Sequence, residues 1–451
     1  MTAAPAALHL LLALAIPQAA VPGDSLVSDR VTGALGARLD TTLARYAQYG
    51  FWGSVLVVRD QRIVLLKGYG LADATRGIRN TAATRFEMNS ITKTFTGAAI
   101  LQLAAAGRLS PADPVERHLG PFPPAKRDAT IEQLATHTSG LIQEGSDLAG
   151  DSREAFVQSV KRTPRESAPG ARYRYSNAGF SLLAAIVEIA GRERYEDYVR
   201  RHLFAPAGMH TACFRPEVRP DDTLSAHGYV GSPAGLLPGP PNPYVWGTIG
   251  AGGVWSTVGD LYRWLAAIEE GRILRDSERR LLFTPRPGEA YGWHVETNAA
   301  GRLQIDKGGG SDDFASQLLY YPRERVVIVW ASNNLRQRWR RALNGSLQAI
   351  MFGDSATPLP PPVAEVPDSV LASYAGHYVV GGDSLELRAA LEYLYARDNR
   401  LGLPADVLFF PNGDGEFTGF DPQRGALTRL RFDTTRLEIE LADGRRITAA
   451  R

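Results

Sequence analysis

The 451-residue chain has one cysteine, Cys213, so no intramolecular disulfide can form and a zinc site built on thiolates is excluded. It lacks a surplus of either charge: 50 Lys+Arg against 48 Asp+Glu leave a formal +2, without the basic excess of a nucleic-acid binder. Neither a G-x-S-x-G elbow nor an H-E-x-x-H pair occurs. Lysine is the scarcest cation. Of the 50 basic residues only five are lysine: Lys67, Lys93, Lys126, Lys161 and Lys307. A guanidinium is not deprotonated in proteins, so each position that keeps lysine is a candidate for giving up a proton. Hydrophobic residues, by contrast, are plentiful at 44%, enough for a packed core in more than one domain.

The chain holds no apolar run long enough for a bilayer-spanning helix of ~20 residues. Residues 6–20 (AALHLLLALAIPQAA) form a short apolar stretch, followed by Val21-Pro22-Gly23. This pattern is expected of a signal peptide over residues 1–22, although residues 1–8 lack the usual Lys or Arg. The expectation is a periplasmic or secreted protein with no stable membrane span after processing. No cysteine follows the run, which excludes a lipoprotein anchor.

Residues 51–67 read as two strands around Arg59-Asp60-Gln61. A helix is predicted from Ser90 to Gly107, with Ile100, Leu101, Leu103 and Ala104 on one side. Others are predicted at 177–190, stopped by Gly191, at 193–204, at 257–271 and near 336–350. Strands are predicted at 303–308, 313–321 and 325–332. Strands first, helices in the middle and strands last imply an α+β fold whose N- and C-terminal segments share one sheet around a helical insert. The domain is placed at 28–355. A proline-rich linker at 356–367 contains PLPPPVAEVP and is expected to act as an extended spacer. Residues 368–451, with strand-like runs punctuated by turn signals, are expected to form a small antiparallel, barrel-like β-domain.

Ser90-Ile91-Thr92-Lys93 is the one place where serine precedes lysine by three residues. On a helix this spacing puts hydroxyl and amine on one face. A neutral lysine there can take the serine proton. In Tyr175-Ser176-Asn177, an extended backbone points Tyr175 and Asn177 the same way. The tyrosine is then a candidate proton relay and the asparagine a candidate contact for a substrate amide. Lys307-Gly308-Gly309-Gly310 sets a cation beside bare backbone, where a substrate could lie along a strand edge and an N–H could reach an oxyanion.

The order S-x-x-K, Y-x-N, K-x-G resembles the serine β-lactamase and penicillin-binding-protein superfamily, and the tyrosine of the second box resembles its class C branch. Leu134-Ala135-Thr136-His137-Thr138-Ser139-Gly140-Leu141, Pro206-Ala207-Gly208-Met209 and Ala251-Gly252-Gly253-Val254-Trp255-Ser256-Thr257 resemble further landmarks of that family. The likeness runs over roughly residues 28–350. It implies a three-layer αβα domain with an antiparallel sheet, catalytic Ser90, Lys93 and Tyr175, and substrate contacts from Asn177, Lys307, Gly309 and Gly310. It implies an acyl-enzyme on an ester, a D-amino-acid peptide or a β-lactam, with no metal or cofactor. The partner would be a small molecule or a short, peptidoglycan-like peptide, and no nucleic acid. The alternative is a penicillin-recognising sensor that is acylated but does not turn over. His137 is implied to be a structural loop residue.

Two departures stand out. Lys307 replaces the histidine common in this branch, which favours a substrate with a carboxylate. Asp313 stands before Phe314, where glycine is usual. Arg336-Gln337-Arg338-Trp339-Arg340-Arg341 reads as a solvated helix face with Trp339 inward.

Overall fold

Gly53–Arg59 (β2) and Arg62–Tyr69 (β3) form the first long hairpin. Its two turn residues, Asp60 and Gln61, both take positive φ (50° and 61°), the conformation whose twist matches a two-residue hairpin. A short strand, Arg30–Val31 (β1), pairs with β3. The sheet is completed by segments more than two hundred residues away: Glu289–Ala290 (β4), Trp293–Thr297 (β5), Leu303–Gly310 (β6), Ala315–Tyr321 (β7) and Val326–Ser332 (β8). Its eight strands run in the order β1-β3-β2-β8-β7-β6-β5-β4, so the N- and C-terminal segments meet at the β2–β8 pair, as predicted. The computed structural model describes residues 26–141, 152–232, 235–239, 244–334, 339–354, 358–390, 392–399, 401, 403, 407–433 and 436–451. The apolar run of residues 6–20 and Arg336–Arg338 lie outside them.

Alternation along the central strands divides the core into two layers. Val55, Val57, Ile328 and Trp330 pack with Leu39 and Leu43 of helix α1 (Gly33–Gln48) and with Leu343 and Leu347 of a helix near the end of the domain. Leu56, Val58, Val327 and Val329 face the opposite way, onto the helical insert. The insert contains α2 (Thr92–Ala105), α3 (Asn177–Gly191) and α4 (Val258–Glu269); the terminal helix is α5 (Arg340–Phe352). This is the expected three-layer αβα arrangement.

Three helix readings need correction. Helix α2 has no single apolar side: Thr92 through Leu101, and Leu103, are all buried, which makes it a central helix enclosed by protein. Gly191 is not the left-handed stop of α3. That conformation falls on Arg192 (φ 62°), while a Cβ on Gly191 would stand 2.8 Å from the Tyr198 ring. The helix predicted at 193–204 is an α-helical turn, Tyr195–Val199, continued as a π-helical segment over Arg200–Phe204.

Eight strands from Gly376–Val380 to Arg446–Ala450 form a closed antiparallel barrel, sealed where Val379 pairs with Ala450. Leu385, Leu394, Phe409, Phe417, Leu430 and Leu437 fill its core. The barrel docks through aromatic rings: Phe420 lies 5.3 Å from Tyr46 and 5.8 Å from Trp339, and Phe410 lies 5.0 Å from Tyr49. The proline-rich segment is therefore a strap and not a free spacer. Pro360 O accepts from Arg45 at 2.8 Å and Pro361 O from the Tyr49 hydroxyl at 3.1 Å. Among the described residues no helix is long and apolar enough to cross a membrane.

Candidate active site

Ser90 sits in the 3-10 turn Asn89–Ile91 that leads directly into α2. The three-residue spacing works as predicted: Lys93 Nζ lies 3.1 Å from Ser90 Oγ. Lys93 is 0% exposed, and its other partners are Asn177 Oδ1 at 2.8 Å and the Ala251 carbonyl at 3.0 Å. Both are neutral acceptors. Among the described residues no carboxylate lies within hydrogen-bond reach of this amine. Burial pulls its pKa below the usual lysine value, against the opposing pull of the Tyr175 oxygen. In its neutral form the amine gives one proton to each acceptor and turns its lone pair towards Ser90 Oγ.

Tyr175 arrives on an extended stretch that ends at Ser176, whose side chain caps α3 by accepting from the Gly179 N–H at 2.9 Å. The Tyr175 hydroxyl donates to Ser90 Oγ at 2.8 Å. Its ring is overlooked by two ammonium groups, Lys93 at 4.7 Å and Lys307 at 5.1 Å. Asn177, expected to face substrate, also holds Lys93 in place through its Oδ1. His137 stacks on Tyr175 with ring centroids 4.5 Å apart. Its Nδ1 accepts from the Ser176 N–H at 2.9 Å, so its proton is on Nε2 and faces Glu289 at 3.3 Å. Neither ring nitrogen addresses Ser90, in keeping with a supporting role. Burial lowers its pKa to about 4.

Lys307 and the three glycines belong to β6 itself, not to a turn after it. Ladder pairing of β6 with β5 ends at Asp306, so among the described residues Lys307–Gly310 pair on one side only, with β7. The bare backbone makes room chiefly for the protein. A Cβ on Gly309 would stand 2.1 Å from Met88 O and 3.0 Å from Ser90 N, and one on Gly308 would strike Arg340. Gly310 pairs with Ala315 at the end of the strand. Lys307 was expected to offer its charge to a substrate; its Nζ lies 2.5 Å from Glu289 Oε2. The Lys307 charge, with the His137 ring beside it, holds the Glu289 carboxyl well below the usual carboxylate range, against burial, which is the largest influence and acts upward.

Sequence reasoning missed Glu289, Gly292 and Arg340. Glu289 carries no local signal, because its contacts depend on the order of β4, β5 and β6. Gly292 has φ 87°, and a Cβ there would lie 2.4 Å from the backbone carbonyl of Lys93. Arg340 was read as solvated; it turns inward, donating to Gly309 O at 2.9 Å and to Gln317. Trp339 is buried, as predicted. The scarce lysines also proved more varied than expected. Lys67 pairs with Asp40 at 2.8 Å, Lys126 donates to the Val160 carbonyl and Lys161 to Leu119 O at 2.9 Å, so three of the five are structural.

Asp313 is tied into the wall of the cleft. Its Oδ1 accepts from Ser311 Oγ at 2.8 Å, and a Cβ on Gly228 or Gly239 would meet its Oδ2 at 2.0 or 2.3 Å. Two facing glycines thus accommodate the unusual side chain. His294, Glu296 and Asp306 also cluster, but Asp306 lies at Nδ1 of the ring (3.2 Å) and Glu296 at Nε2 (3.9 Å). Carboxylates at opposite nitrogens favour an imidazolium between them, not convergence on one metal ion.

The family model for Beta-lactamase matches residues 39–349, which span the nucleophile turn, α3 and β6. The chain belongs to the Beta-lactamase family. Its relatives include the Putative penicillin-binding protein PbpX of Bacillus subtilis (strain 168), 31% identical over 250 residues, covering 54% of this chain and 62% of that protein. Protein flp of Staphylococcus aureus (strain MW2) is 28% identical over 324 residues, covering 67% and 64%. The match thus spans just under two thirds of the length of these two relatives. The fold is shared with the octameric penicillin-binding protein homologue from Pyrococcus abyssi (TM-score 0.65, 22% identity, 92% of this chain and 100% of that chain). It is also shared with the D-amino acid amidase from Ochrobactrum anthropi SV3 (TM-score 0.58, 21% identity, 67% and 92%). Within this family the chain is related by sequence to penicillin-binding proteins.

Proposed function

We propose that the protein is an exported hydrolase that acts through a covalent acyl-enzyme on Ser90, with esters and D-amino-acid amides or peptides preferred over β-lactams. The observation that carries this reading is Ser90 Oγ held between Lys93 Nζ at 3.1 Å and the Tyr175 hydroxyl at 2.8 Å, with only neutral acceptors on the lysine. The Ser90 proton passes to the Lys93–Tyr175 pair as Oγ bonds to the acyl carbon. The oxyanion is received by the backbone N–H groups of Ser90 and Gly310. Collapse of the tetrahedral adduct expels the leaving group, which takes a proton from Tyr175, and water then releases the acid and restores Ser90. The D-amino acid amidase among the proteins of this fold supports an amide substrate. The apolar run of residues 6–20 supports export to the periplasm or beyond.

Mass spectrometry of the intact protein with an activated ester, and separately with a β-lactam, tests the reading. A Ser90 adduct that appears and decays is expected. A permanent adduct would make the protein a sensor, and no adduct on a folded chain would overturn the acyl-enzyme. Ser90→Ala should remain folded with less than about one part in 10³ of the activity.

A further inference from the structure

The cleft contains a buried ion pair that the acylation steps leave unused. Lys307 is 2% exposed; its Nζ is 2.5 Å from Glu289 Oε2 and 5.1 Å from the centre of the Tyr175 ring. The same carboxylate oxygen faces His137 Nε2, which carries the ring proton, at 3.3 Å. Glu289 is therefore held by Lys307 of β6, with the His137 ring, from the loop after the short helix Ile131–Ala135, standing beside it. Its own side chain is 18% exposed. Lys307 is thus enclosed and already neutralised. A second carboxylate approaching it would meet the negative charge of Glu289 at close range, in surroundings that screen charge poorly. An uncharged group, or an ammonium, meets no such opposition.

We infer that Glu289 is a specificity-determining residue that makes the site select acyl donors without a carboxylate beside the scissile bond: neutral esters and amides, and amino-acid amides with a free amine. The inference rests on the proposed acyl-enzyme at Ser90 and names its substrate class. It reverses the expectation drawn from Lys307 alone. That lysine supplies the cation; Glu289, a substrate-like carboxylate built into the protein, occupies it.

The test is a matched pair of substrates, phenyl acetate and its 3-carboxyphenyl analogue. The wild-type protein should favour the neutral ester at least tenfold in kcat/KM. Glu289→Gln, which keeps the shape and removes the charge, should shift that ratio towards the anionic ester by tenfold or more, about 1.4 kcal/mol. Glu289→Asp should keep the wild-type preference. A wild-type ratio within twofold of unity overturns the assignment, and this measurement needs no variant to fold. So does a Glu289→Gln ratio equal to that of the wild type. If neither ester acylates Ser90 by mass, the acyl-enzyme reading itself falls and takes the inference with it. Acylation with an unmoved ratio removes the Glu289 assignment alone.

Discussion

Lys93 and Lys307 stand over the same tyrosine ring, and both are buried, yet their pockets are built on opposite principles. The Lys93 pocket offers a hydroxyl, an amide oxygen and a carbonyl, none of them charged. The Lys307 pocket offers a carboxylate. Burial disfavours both ammonium groups. At Lys93 no carboxylate partner offsets that pressure, which lowers the cost of giving up a proton, and at Lys307 it is offset by pairing with Glu289. What a buried lysine does is decided by its partners, not by its own chemistry.

The sharpest way to break this contrast is to replace each amine by a guanidinium. Lys93→Arg keeps a cation but removes the ability to give up a proton, so kcat should fall by about 10²–10⁴-fold in steady-state assays. A kcat within tenfold of wild type would show that Lys93 is merely a charge. The scaffold behind the pocket comes next. Gly292→Ala would drive a Cβ against the Lys93 carbonyl at a positive φ, and should lower stability by about 2–4 kcal/mol in urea titrations. An unchanged midpoint would mean that the Tyr291–Gly292 turn can move away freely.

The Lys307 side has a pH signature. Its neighbour His137 faces Glu289, Lys307 and Lys93, and folding depresses its pKa from 6.5 to about 4. The folded state therefore resists protonation that the unfolded chain accepts. The stability from this group is complete above pH 6.5 and is lost as pH falls towards 4, by about 3 kcal/mol. His137→Gln should flatten that part of the stability–pH curve; an equally steep curve would place the proton uptake elsewhere. The smallest effect is expected of Lys307→Arg. The charge facing Glu289 survives, so kcat on a neutral ester should drop by tenfold at most, about 1.4 kcal/mol. Loss as deep as that of Lys93→Arg would erase the distinction between the two pockets.

The same contrast shows what could be read from the chain. Ser90 and Lys93 were legible because a helix converts a spacing of three into a contact, and because lysine is rare enough here for one such pair to be conspicuous. Tyr175 and Asn177 were legible as a pair, although the contact of the asparagine Oδ1 with Lys93 was not foreseen. Lys307 was legible as a cation but not as half of an ion pair. Its partner reaches it through the order of three strands at the end of the sheet, which leaves no trace in the local sequence. Arg340 was misread for a related reason: a run of arginines around a tryptophan does not reveal which one turns inward, and that depends on the room left by Gly308. The barrel was visible in its turn spacing, whereas its docking through Phe410 and Phe420 depends on Tyr46, Tyr49 and Trp339, which no period links to them.

The commitment of the lysines has a practical side for anyone handling the protein. Amine-directed labels, cross-linkers and immobilisation resins need a free side-chain amine. Here Lys93, Lys126 and Lys307 are buried and Lys67 and Lys161 are bonded to Asp40 and Leu119 O. Such reagents should therefore modify the folded protein sparingly and at few positions. A sudden rise in the number of labels taken up would report that the interior has opened.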